Sequence, residues 1–118
     1  MKAGRLKHSE RAITARDFRR VYARGRRARR DGVTVVALRR DDPSLPTRVG
    51  LTVPAAVGPA VVRNRIRRRL RAAAAAVAPP RGVDLVLGAD RRVAREDFQV
   101  LVDYLRRALT DAGVEPAR

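Results

Sequence analysis

Apolar positions along the chain fall at helical spacing in three segments and at strand spacing in three others, with turn residues between them. In "ITARDFRRVYARG" (13–25), Thr14 is placed to cap a helix and Asp17 to return a bond to the cap's backbone amide. Ile13 and Phe18 form the flanking hydrophobic pair, and Gly25 supplies a left-handed stop. "VTVVALR" (33–39) alternates, with Val33, Val35 and Ala37 on one face and Thr34, Val36 and Leu38 on the other, which predicts a strand. "DDPSLP" reads as a turn, and "RVGLTV" (48–53) as a second strand antiparallel to the first. After the loop "PAAVGP" a helix is predicted from Ala60 to Ala78, stopped by Pro79 and Pro80. "VDLVLGA" (83–89) is an apolar run of strand type. The last helix, 95–111, carries Phe98, Leu101, Val102, Leu105 and Leu109 on one stripe and ends at Gly113.

This order is helix, two strands, helix, strand, helix, with room for one extra short strand between the second strand and the arginine-rich helix. It predicts an α+β fold, a two-layer α/β sandwich. The 118 residues are about one domain's worth, expected to span 13–113. Residues 1–12, polar, basic and without period, are expected to be a flexible arm, and 114–118 a tail.

The fourth predicted element changes the picture from fold to function. "VVRNRIRRRLR" places six arginines between positions 63 and 71, followed by five alanines, Ala72–Ala76. Ile66, Leu70, Ala73, Ala74 and Val77 fall on one stripe that would face a sheet. Arg63, Arg67 and Arg71 form a row at four-residue spacing, while Arg65, Arg68 and Arg69 spread over the remaining surface. Like charges at that spacing weaken a helix by a few tenths of a kcal/mol per pair. Alanine offsets the cost with the best helix propensity, leaving the arginines available for a partner. Guanidinium groups match phosphate oxygens in pairs and stay charged at any relevant pH. Asn64, between two arginines, could cap the helix start, bind RNA or position its neighbours.

Composition points the same way. Lys and Arg number 28 against 12 acidic residues, a net charge of +16. A polyanion explains such an excess, nucleic acid before an anionic membrane surface. The apolar face of the arginine helix is mostly alanine and has little bulk to bury in lipid. The chain has no cysteine, so disulfides, thiolate zinc sites and a cysteine nucleophile are excluded. No apolar run is long enough to span a bilayer, and "MKAGRLKHSER" does not resemble a secretory signal; a cytoplasmic location is expected. His8, the only histidine, has no carboxylate near it in sequence to make it a general base. Asp84, Asp90, Asp97 and Asp103 are dispersed, unlike the cluster of a two-metal nuclease. Phe18 and Tyr22 admit two readings, the core face of the first helix or stacking positions for bases.

Three ordered motifs resemble the bacterial ribonuclease P protein family. They are "RDFRRVYARGRR", with two aromatics one turn apart and a closing glycine, then "RVGLTV", then "AVVRNRIRRRLR". The resemblance covers Ile13 to Gly113. It implies a mixed sheet with a left-handed crossover, against the usual right-handed rule. It also implies a protein subunit that binds the ribonuclease P RNA and the 5′ leader of precursor tRNA, aiding magnesium-dependent removal of that leader. Magnesium would be bound mainly by the RNA, with no cofactor held by the protein alone and no protein partner. The resemblance assigns RNA contacts to Arg63, Asn64, Arg65, Arg67, Arg68 and Arg71, and a leader-binding cleft to Phe18, Tyr22 and Val36. The chain departs from the family at Pro54, Ala55 and Ala56, where a serine and two basic residues are usual, and at Pro59. The RNA surface at that loop is expected to be weaker unless arginines elsewhere compensate. The alternatives are a ribosomal or general RNA-binding protein without a processing role, and a protein-only metal-dependent nuclease.

Overall fold

The computed structural model describes residues 13–115, so the predicted arm and the end of the tail lie outside the described residues. The elements are α1 (Ala15–Arg24), β1 (Arg26–Arg30), β2 (Val33–Arg39), β3 (Arg48–Thr52), α2 (Ala60–Val77), β4 (Val83–Ala89) and α3 (Phe98–Asp111). Short 3-10 turns precede α2 at Ala55–Val57 and α3 at Arg91–Ala94. The extra strand is therefore real, but it stands ahead of the two predicted in this half of the chain.

The four strands form one mixed sheet in the order β1-β2-β4-β3. β2 pairs antiparallel with both β1 and β4, whereas β3 runs parallel to β4. The expected pairing of β2 with β3 does not occur. β4 lies between them because its seven residues are all buried and need a strand on either side. α2 is thus the crossover joining the parallel neighbours β3 and β4.

One face of the sheet carries Val33, Val35, Ala37, Val49, Val83, Leu85 and Leu87, and α2 and α3 pack against it. The buried residues of α2 are Ile66, Leu70, Ala73, Ala74 and Val77, the stripe predicted. α3 starts three residues later than its periodicity suggested, because the Asp97 carboxylate accepts bonds from the Gln99 and Val100 amides and fixes the first turn. Phe98 and Tyr104 pack half-buried at the border of this core, and Val114, beyond the predicted end at Gly113, is buried in it.

α1 lies on the opposite face. It makes a smaller core of Ile13, Val21, Val36 and Val86, with Phe18, Tyr22 and Leu38 against it. Thr14 caps α1 as predicted, accepting from the Asp17 amide. The Asp17 carboxylate, however, takes the Thr14 hydroxyl at 2.9 Å rather than the cap's amide. Gly25 is not a left-handed stop: its φ of −73° is ordinary extended backbone. Glycine is required there by proximity, since a Cβ would collide with the Val21 carbonyl and the Val36 side chain.

Candidate nucleic-acid interface

α2 begins at Ala60, so Asn64 lies in its second turn and cannot be the cap; Pro59 holds that position without a side-chain bond. The Asn64 Oδ1 instead accepts from Arg67 Nη1 at 3.0 Å, which steers Arg67 along the helix surface. Arg63 is half-buried and donates through Nε to the Gly58 carbonyl at 3.1 Å, tying the loop before α2 to its first turn. Arg65, Arg68 and Arg71 are exposed and, among the described residues, make no hydrogen bond or ion pair. They sit opposite the buried stripe on the outer face of α2.

Arg69 behaves differently from its neighbours. Its Nε donates to the Val93 carbonyl at 2.8 Å and its Nη2 to the Glu96 carbonyl, on the far side of the connection into α3. This arginine bolts α2 to the Arg91–Ala94 turn, a contact that no helical pattern could reveal. Arg69→Ala is expected to lower the melting temperature while leaving the salt dependence of RNA binding unchanged. Parallel thermal melts and salt titrations check this, and a shallower salt slope would make Arg69 an RNA contact.

Four aspartates are bonded to arginines outside α2. Asp84 is held by Arg48, Asp111 by Arg30, Asp90 by Arg92 and Asp103 by Arg107. Hydrogen bonds from Arg92 keep the Asp90 carboxyl below its ordinary pKa, and the one from Arg30 does the same for Asp111. Among the described residues no three His, Asp or Glu side chains come together in a way that could hold a metal ion. No described helix is long and apolar enough to cross a membrane.

The other predicted site lies beneath and beside α1. The ring of Phe18 covers Gly50 so closely that a Cβ there would come within 2.5 Å of Phe18 Cε2. Phe18 and Tyr22 stand 6.0 Å apart between ring centroids, tilted by 30°. Both are half-buried: the inner edges pack on the sheet and the outer surfaces stay open. Val36 is on the predicted face but only 5% exposed, because α1 lies over it. It supports the helix from below and offers no surface to a ligand.

Past Tyr22 the sheet is uncovered. The row Thr34–Gly88–Thr52, read across β2, β4 and β3, forms the floor of an open cleft of about 390 Å³. Gly88 keeps that floor low, since a Cβ would meet Thr34 Oγ1 at 2.5 Å and Thr52 Cγ2 at 3.2 Å. Tyr22 and Arg29 border the cleft on one side, Pro54 and Val57 on the other. This floor and Arg29 were not among the predicted site residues. The alternation of β2 placed Thr34 on this face, but which strand neighbours it could not be read from the sequence.

Residues 6–113 match the protein-family profile described as Ribonuclease P. The chain belongs to the ribonuclease P protein family. It is 48% identical over 104 residues to the Ribonuclease P protein component of Gluconacetobacter diazotrophicus, covering 86% of this chain and 89% of that one. It is 36% identical over 117 residues to that of Picosynechococcus sp., covering 96% and 93%. The fold is shared with a mutant of the Staphylococcus aureus RNase P protein, with a TM-score of 0.75 over 88% of each chain at 23% identity. It is shared also with the RNase P protein from Thermotoga maritima, with a TM-score of 0.68 over 81% of this chain and 91% of that one at 24% identity. Within this family fold, α2 and the cleft occupy opposite faces of one sheet.

Proposed function

We propose that the chain is the protein subunit of ribonuclease P, binding the catalytic RNA through α2 and the single-stranded 5′ leader of precursor tRNA through the cleft beside α1. Its role is to aid the magnesium-dependent cut that frees the mature 5′ end. The observation that carries this reading is the outer face of α2, where Arg65, Arg68 and Arg71 stand exposed and unpaired among the described residues. So many unneutralised guanidiniums on one helix cost stability and are best explained by phosphate. The side chains of Phe18 and Tyr22, open on one side, suit stacking with successive bases, each contact worth about 1–3 kcal/mol. Magnesium in this reading is held by the RNA, and the protein contributes affinity and position.

The test is cleavage of precursor tRNA at low magnesium by the protein alone, by a bacterial ribonuclease P RNA alone, and by both. Cutting at the mature 5′ end is expected only with both present. Phe18→Ala is expected to weaken binding of leader-bearing precursor far more than that of mature tRNA. Binding without stimulated cleavage would leave a general RNA-binding domain, and cutting by the protein with magnesium alone would make it a nuclease in its own right.

A further inference from the structure

The cleft beside α1 is short of positive charge for a site that takes a polyanion. Its loop wall is "PAAV", Pro54–Val57, without a charged side chain. The arginines of α2 cannot serve it, because α2 packs on the other face of the sheet. A single strand of RNA lying there still brings one negative charge per nucleotide, and its affinity depends on cations that meet those phosphates.

Among the described residues β1 supplies the nearby candidates. Its sequence "RRARR" has four arginines, and the antiparallel register divides them between the faces. Arg27 stands opposite Val36 and Arg29 opposite Thr34, so both lie on the cleft face; Arg26 and Arg30 lie on the other, where Arg30 is bound to Asp111 at 2.6 Å. Arg29 is the one cation among the described residues lining the cleft. Its side chain is 65% exposed, and its ion pair with Asp90 is long, at 3.8 Å. Its Nε donates to the Asp31 carbonyl at 3.2 Å, and Arg92 already holds Asp90, which also borders the cleft, at 3.0 Å, so the charge at the terminal nitrogens of Arg29 is left available. Arg27 is preset by two contacts: Nη2 donates to the Tyr22 carbonyl at 2.9 Å, and the guanidinium lies 5.2 Å from the Tyr22 ring centroid. Arg27, Tyr22 and Phe18 therefore make a continuous series of planar groups along α1 and the sheet edge.

We propose that Arg27 and Arg29 form the phosphate-binding wall of the leader cleft, carrying the backbone of the single strand whose bases meet Tyr22 and Phe18. This rests on the reading of the cleft as the leader site. The floor of Thr34, Gly88 and Thr52 then faces the strand without charge, and the loop wall of Pro54 and Val57 confines it without binding its phosphates.

The experiment uses the protein assembled with a bacterial ribonuclease P RNA. Precursor affinity is measured against salt for a leader long enough to cross the cleft and for a leader of one nucleotide. For Arg27→Ala/Arg29→Ala the ratio of long-leader to short-leader affinity is expected to fall about tenfold. The salt slope for the long leader should become shallower by about 1.4, at about 0.7 per single-strand phosphate contact. Because Arg27 also braces α1, Arg29→Ala alone provides an arm free of that contact and should shift the slope by about 0.7. Arg27→Lys should keep the slope, since charge alone meets the phosphate. An unchanged slope, or equal losses on both precursors, would overturn the proposal. If the wild-type assembly itself does not prefer the long leader, the failure lies with the cleft as leader site, and these two arginines lose their role with it.

Discussion

Asp84→Asn is expected to destabilise the domain by about 3–5 kcal/mol, the cost of removing one partner from a buried ion pair. Asp84 has no exposed surface, yet it sits on β4 on the face where α1 packs. Arg48 grips it with both ends of its fork, Nε to Oδ1 at 2.7 Å and Nη2 to Oδ2 at 2.6 Å. Arg20 and Arg40 approach the same carboxylate at 3.6 and 3.9 Å. The remaining nitrogen of Arg48 donates to Asp17 Oδ2 at 2.8 Å, so a single guanidinium links the first turn of α1 to the central strand. Neutralising Asp84 leaves Arg48 and Arg40, each only 18% exposed, beside the more open Arg20, with Asp17 as the one carboxylate among the described residues still paired to them. Urea unfolding with matched slopes measures the loss; a change below about 1 kcal/mol would mean that solvent already screens this cluster. Since Phe18 and Tyr22 ride on α1, the same variant should also widen the cleft beside α1.

The second large effect concerns RNA. Arg65→Ala, Arg68→Ala and Arg71→Ala together are expected to weaken binding to the ribonuclease P RNA by about tenfold for each arginine removed, taking about 1.5 kcal/mol for each charge-assisted bond. The salt slope should become shallower by about 2.1 to 2.7, at about 0.7–0.9 per phosphate. Stability should move the other way. These side chains bond to nothing among the described residues, repel one another along the helix, and would be replaced by the best helix former. A higher melting temperature with weaker binding marks a surface kept for its partner. If both fall together the arginines are structural, and an unchanged salt slope would mean that they are merely solvated.

These experiments divide the arginines of α2 in a way that spacing could not. By periodicity Arg63, Arg67 and Arg71 form one row, and Arg69 lies on the open surface with Arg65 and Arg68. In the fold, Arg63 braces the preceding loop, Arg67 lies against Asn64, and Arg69 is committed to two carbonyls near α3. Those partners are 5, 3, 24 and 27 residues away in sequence, and the last two meet Arg69 only once α2 and α3 have packed. β1 escaped the pattern for a related reason. "RRARR" shows almost no hydrophobic alternation, and its strand state comes from the free edge of β2, to which it is returned by a two-residue turn at Asp31 and Gly32.

Residue order alone was enough for the three helices and for strands β2, β3 and β4, the buried stripe of α2, the cap at Thr14 and the end of α2 before Pro79 and Pro80. It was enough, too, for the excess of positive charge and its concentration between Arg63 and Arg71. These follow from short-range rules: periodicity, capping, turn chemistry and charge count act within a few residues. Folding in three dimensions was needed to separate β2 from β3 by β4, to make Gly25 necessary by close approach rather than by handedness, to lay the Phe18 ring over Gly50, and to gather three arginines around Asp84. It also put Val36 beneath α1 and Arg29 at the border of the cleft. Each of these depends on which distant segment lies alongside, and that is set by packing the whole chain around its core rather than by any local pattern.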